Sequence, residues 1–148
     1  MTVTTTIDAL QTIHAAVAGV KTAPAAAAFP DQVEENGLPY VLTWPGTYDM
    51  EAAGRNTLEA TRIYSGACLV AGEASGVGVT TSVNAVWTLL DAFRARYETL
   101  IITTENLSTG EVVIKYHDDG GGAGSGSITF RGRKWLGFLF RAEVWEPS

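Results

Sequence analysis

Two histidines, His14 and His117, and one cysteine, Cys68, carry the widest chemical range in this 148-residue chain. A cysteine nucleophile needs a base within hydrogen-bond reach, and neither histidine is near Cys68 in sequence. Cys68 therefore reads as a buried structural thiol. His117-Asp118-Asp119 is a cluster of possible metal ligands, but neighbours on an extended chain point to opposite sides, so it reads as a polar turn. His14 has no second ligand at i+4 and reads as a packed histidine. The tract Gly120-Gly121-Gly122-Ala123-Gly124-Ser125-Gly126 could offer backbone N–H groups to a phosphate. It has neither Gly-x-Gly-x-x-Gly spacing nor a P-loop Lys-Ser/Thr pair, and a strand pattern follows it. In Gly72-Glu73-Ala74-Ser75-Gly76 the serine is displaced from the centre of a nucleophile elbow. Glu34-Glu35 and the other acids show no spacing that holds two carboxylates on one rigid face. No catalytic residue, metal set or cofactor motif is assigned, and the expectation is a protein that is not an enzyme.

The elements that could position such residues belong to one domain, residues 1–148, because 46% hydrophobic content supports one core without disulfides or metals. A lone cysteine excludes an intramolecular disulfide and fits a chain made in a reducing cytoplasm. The net charge is -6 and the pI near 4.8. That balance argues against a general nucleic-acid surface, which needs a basic face. Residues 1–60 hold Asp8, Asp31, Glu34, Glu35, Asp49, Glu51 and Glu59 against Lys21 and Arg55, whereas Arg131, Arg133, Lys134 and Arg141 lie near the C-terminus. Those four bases read as a solvated strand edge or turn. The N-terminus lacks a signal-peptide pattern, and Lys21 and Pro24 interrupt the Ala-rich stretch, so neither export nor a membrane span is expected.

Ile7, Leu10, Ile13, Val17 and Val20 predict a helix over residues 7–20, with Asp8, Gln11 and Thr12 opposite the apolar stripe. Pro24 and Pro30 impose an extended connection. Leu38–Trp44 reads as a strand stopped by Pro45-Gly46, and residues 47–57 as a loop. A long strand follows over Leu58–Val70, with Ile63, Ala67 and Leu69 on one side and Tyr64, Cys68 and Val70 on the other. After a Gly-rich loop over Gly72–Val79, Thr81 or Ser82 is expected to cap a helix whose stripe Val83, Val86, Trp87, Leu90, Phe93 and Tyr97 gives the strongest helix signal. Arg94 and Arg96 sit in its expected last turns, favourable for the helix dipole. Leu100–Thr103 and Glu111–Tyr116 are short β candidates joined as a hairpin, and 118–127 is a flexible loop. Ile128–Phe130 and the alternating Trp135–Trp145 close the domain as strands. The fold class is thus α+β, a mostly antiparallel sheet packed against two main helices.

The order of these segments resembles the tail terminator proteins of long-tailed bacteriophages. The likeness is carried by a short N-terminal helix, Leu38-Pro-Tyr-Val-Leu-Thr-Trp44, Arg62-Ile-Tyr-Ser-Gly-Ala-Cys-Leu-Val70, the helix through Trp87 to Tyr97, and Gly137-Phe-Leu-Phe-Arg-Ala-Glu-Val-Trp-Glu146. It spans most of the chain and rests on arrangement rather than on an invariant motif. It implies a homo-oligomeric virion ring, usually of six copies, at the head-proximal end of the tail. That ring stops growth of the tail tube protein and meets a head-completion or connector protein. DNA would cross its lumen without being read, which suits an acidic wall. The resemblance implies no catalytic residue, metal or cofactor.

Both sides of the long strand are apolar, and Trp135, Leu139 and Trp145 lie opposite Phe138 and Phe140. Two helices are not expected to cover both sheet faces, so Ile63, Tyr64, Leu69, Trp135, Leu139 and Trp145 are candidate subunit-interface residues. The acidic 31–59 region is a further candidate segment. Two other classes share these features: another neck component such as a connector or stopper, and a small-ligand-binding or enzymatic α+β dimer with a cleft between sheet and helix.

Overall fold

A computed structural model describes residues 2–55, 57–72, 79–104, 107, 109–120 and 127–146. In chain order they form α1 (Val3–Ala15), β1 (Tyr40–Gly54), β2 (Thr57–Gly72), α2 (Val79–Ile102), β3 (Val112–Asp118), β4 (Ser127–Phe130) and β5 (Arg133–Glu146). The strands make one antiparallel sheet in the order β1-β2-β5-β3, with β4 also paired to β5. Both helices lie on one face, giving the expected α+β class.

The strand periodicity of β5 explains this layering. Phe138, Phe140, Ala142 and Val144 point to the helices and are buried, while Trp135, Leu139, Arg141, Glu143 and Trp145 point the other way. On β2, Tyr64 and Cys68 join the helix-side core, and Ala67 and Leu69 join a smaller cluster on the opposite face. β5 can approach β2 closely because two positions lack a Cβ. One added at Gly66 would stand 2.2 Å from the Phe140 ring, and one at Gly137 would stand 1.9 Å from the Cys68 carbonyl oxygen.

Three element boundaries differ from the sequence expectations. α1 starts at Val3, where Thr2 and Thr5 form a reciprocal capping box, and ends at Ala15 rather than residue 20. Gly19, with φ +95°, lets the chain turn while Val17 still reaches the core. α2 begins at Val79, so Thr81 and Ser82 lie inside it rather than before it, and it runs through residues 100–102, expected as a strand. The helical spacing of Phe93, Tyr97 and Leu100, all fully buried, prevails over the β-branched character of Ile101 and Ile102. β3 consequently pairs with β5 and makes no hairpin with residues 100–103. The longer α2 places Arg94 and Arg96 mid-helix, and Arg94 binds Asp118 of β3 through two 2.8 Å hydrogen bonds. Trp87, expected in the stripe, is 46% exposed; Leu89 packs in the core instead.

The third difference is β1, which continues past Pro45-Gly46 to Gly54. The turn expected there is a register shift between Pro45 and Tyr48, after which pairing with β2 resumes. At the other end of the sheet β4 and β5 form a hairpin through Arg131 and Gly132. Their φ values of 52° and 80° suit a two-residue primed turn. Six of the seven glycine-tract residues, 121–126, lie outside the described residues.

α1 is tied to the rest by a buried polar network that was expected to be solvent-facing at Gln11. The Gln11 amide donates to the carbonyls of Pro24 and Val41, both at 2.9 Å. Its oxygen therefore accepts, at 2.9 Å from the Thr43 hydroxyl and at 2.8 Å from His14 Nδ1. That fixes the proton on Nδ1 and leaves Nε2 to accept from the Tyr97 hydroxyl at 2.6 Å.

Candidate functional site: the open sheet face and its arm

The sheet face opposite the helices is only partly covered. At the β4 end, Val33 and Leu38 of the connection after α1 pack on Leu42, Leu69 and Trp135. Arg133 stacks over the Trp135 ring at 4.4 Å and pairs with Glu35, which holds this connection down. Beyond that patch no described helix or strand lies over the sheet. Pairing register then brings residues from four strands into rows: Trp44 beside Ser65, Ser65 beside Arg141, and Arg141 beside His117. In the next row Ile63 stands beside Glu143, and Glu143 beside Lys115. These rows line two adjoining hollows of about 310 Å³ each, which share His117 and Arg141 and have Leu139 and Asp119 at one rim.

The same side of the sheet continues into a projecting arm. β2 pairs with β5 only as far as Ala60 opposite Glu146, whereas β1 and β2 pair on to Gly54 opposite Thr57. At about 3.3 Å per residue this two-stranded hairpin overhangs the sheet by roughly 10–13 Å. One side of it carries Met50 and Leu58, which are 57% and 53% exposed, with Tyr48, 41% exposed, at its root. The other, on the side of the open face, carries Glu51 and Glu59 directly opposite each other, with Asp49 at the root. The root is held by Arg62, whose guanidinium lies 4.5 Å from the Tyr48 ring centre and 3.4 Å from Glu146.

Ser65 and His117 flank Arg141 on the two outer strands of a three-strand row, about 9.5 Å apart by strand spacing, whereas a nucleophile and its base need direct hydrogen-bond contact. The His117-Asp118-Asp119 run is split by the sheet: His117 faces the groove and Asp118 faces the helices. The Arg94 hydrogen bonds hold the Asp118 carboxyl below the usual carboxylate range. Among the described residues no three His, Cys, Asp or Glu side chains gather as a metal set. Cys68 is fully buried, and burial pushes its thiol up to about 12, away from the reactive thiolate.

Of the six candidate interface residues, Tyr64, Leu69 and Trp135 are at most 1% exposed and belong to the chain's own core, so they offer no surface to a neighbour. Tyr64 packs under α1, and the Val33 connection closes over Leu69 and Trp135. Ile63 and Trp145 are half-buried on the open face, and Leu139 is 42% exposed there. The sequence reading missed Lys115, His117 and Arg141 as one cluster, because only strand order makes them neighbours. It also missed the arm, although Tyr48-Asp49-Met50-Glu51 alternates with period two. No family model matches the chain, and neither a curated protein nor a solved structure matches it.

Proposed function

We propose that this chain is a structural assembly subunit that closes into a homo-oligomeric ring and caps a phage tail tube at its head-proximal end. There it would stop tube growth and present a joining surface to a head-completion protein. The observation that carries the reading is the open face with its overhanging arm. A sheet left partly uncovered on one side, with Ile63, Leu139 and Trp145 on it and Tyr48, Met50 and Leu58 on the arm, calls for burial by other chains. The resemblance in segment order supplies the particular assembly. An acidic chain suits a lumen that lets DNA pass without holding its phosphates. The same features would serve another neck component, and partner identity separates the two.

The test is a tube-growth assay. Added to purified, polymerising tail tube protein, the chain is expected to bind one tube end and halt elongation there. Tubes that keep growing at an unoccupied end, at saturating concentrations of the chain, would overturn the terminator assignment.

A further inference from the structure

Building on the ring reading, we propose where the copies join: the arm of one copy lies, acidic side down, in the groove on the open sheet face of the next. Three observations lead there. Glu51 and Glu59 stand directly opposite each other on the arm, both exposed, with Asp49 on the same side. Like charges in directly opposed strand positions destabilise a hairpin, and a cationic surface laid against them removes that cost. The groove supplies the cations. Lys115 and Arg141 are both exposed on its floor, and neither forms an ion pair among the described residues. Glu143 and Asp119 are the acids of the same groove and equal the two cations in number, but Glu143 is half-buried beside Lys115 and Asp119 lies at one rim, so the exposed charges at the centre of the floor are Lys115 and Arg141.

The arm cannot reach its own groove. It is a continuation of β1 and β2, whose register runs from Tyr40 to Gly54 with pairing resumed after each shift, so it extends away from the sheet. The occupant is therefore a second copy, which brings the complementary charge and the apolar Trp44, Ile63 and Leu139 of the groove wall. Each copy gives an arm and receives one. Such a heterologous contact closes into a ring when its rotation permits.

Charge swapping tests this. One variant carries Glu51→Lys with Glu59→Lys, the other Lys115→Glu with Arg141→Glu. All four positions are exposed, so far-UV spectra should match the wild type. Glu51→Lys with Glu59→Lys exchanges one like-charge pair for another and should keep the melting temperature, whereas Lys115→Glu sets a glutamate opposite Glu143 and should lower it modestly without unfolding the chain. Like-charge juxtaposition costs several kcal/mol, so each variant alone should show about 100-fold weaker self-association by light scattering. An equimolar mixture restores both charge pairings and should recover the wild-type mass. A zero-length carbodiimide crosslink between Lys115 and Glu51 or Glu59, joining isotope-labelled to unlabelled copies, would locate the contact. If the wild type assembles and both variants assemble equally well, or the mixture fails to recover, the docking site is wrong while the ring reading survives. A wild type that never self-associates, alone or on tubes, removes the ring reading itself and this contact with it.

Discussion

His14 shows how a residue of ambiguous chemistry becomes structural. It stacks on Phe93 with ring centres 5.3 Å apart and meets the Phe140 edge at 5.1 Å, so its surroundings are aromatic apart from three neutral partners, Gln11, Thr43 and Tyr97. Burial lowers its pKa from 6.5 to about 3. The folded protein thus keeps it neutral while the unfolded chain takes up a proton below pH 6.5. Its contribution to stability is complete above that pH and is lost as pH falls from 6.5 towards 3. At pH 5 the loss should be about 2 kcal/mol, from 1.36 kcal/mol per unit. His14→Gln retains an acceptor and a donor without titrating, so its stability relative to the wild type should improve by about that amount between pH 7 and pH 5. Urea unfolding at the two pH values checks this, and parallel pH profiles would show that His14 carries no proton linkage. The sequence revealed that His14 lacked a second ligand. It could not reveal burial, because Gln11 and His14 look like a polar helix face until Pro24, Val41, Thr43 and Tyr97 arrive to satisfy them.

At the scale of elements, what was legible followed one-sided burial. The alternation along β5 and most of the stripe on α2 could be read because each buries one face in a shared core. The arm was illegible for the opposite reason: Met50 and Leu58 bury little within the chain, and Pro45-Gly46 mimics a stop signal where the strand only shifts register. Ends set by tertiary packing, such as the last turn of α2, also escaped the local pattern. The arm itself depends on Arg62, which joins β1, β2 and β5 through Tyr48, Tyr64 and Glu146. Arg62→Ala should free the arm by about 1–2 kcal/mol, because a shielded cation–π contact and a half-buried ion pair are lost together. Amide exchange over residues 48–52 and 58–60 should then speed up about tenfold. Exchange in α1 and α2 should change much less. Unchanged exchange in the arm would mean that its own ladder, not the Arg62 clamp, holds it in place.

For the whole molecule, the candidate site proved to be a surface rather than a pocket. The sequence named Ile63, Leu139 and Trp145 correctly as lying opposite the helix-side core, but strand order was needed to set Lys115, His117 and Arg141 beside them. Tyr64, Leu69 and Trp135 offer no surface because α1 covers Tyr64 and the Val33 connection, which no helix pattern announces, covers Leu69 and Trp135. What remains open is an arm with one acidic side and a groove whose floor exposes Lys115 and Arg141. The most direct test of ring assembly is the solution mass by light scattering across a concentration series, with and without purified tail tubes. A ring-forming subunit gives one closed multiple of the 15.7 kDa chain that stops growing as concentration rises. A chain that stays monomeric under both conditions and ignores tube ends, or stops at a dimer, would contradict it.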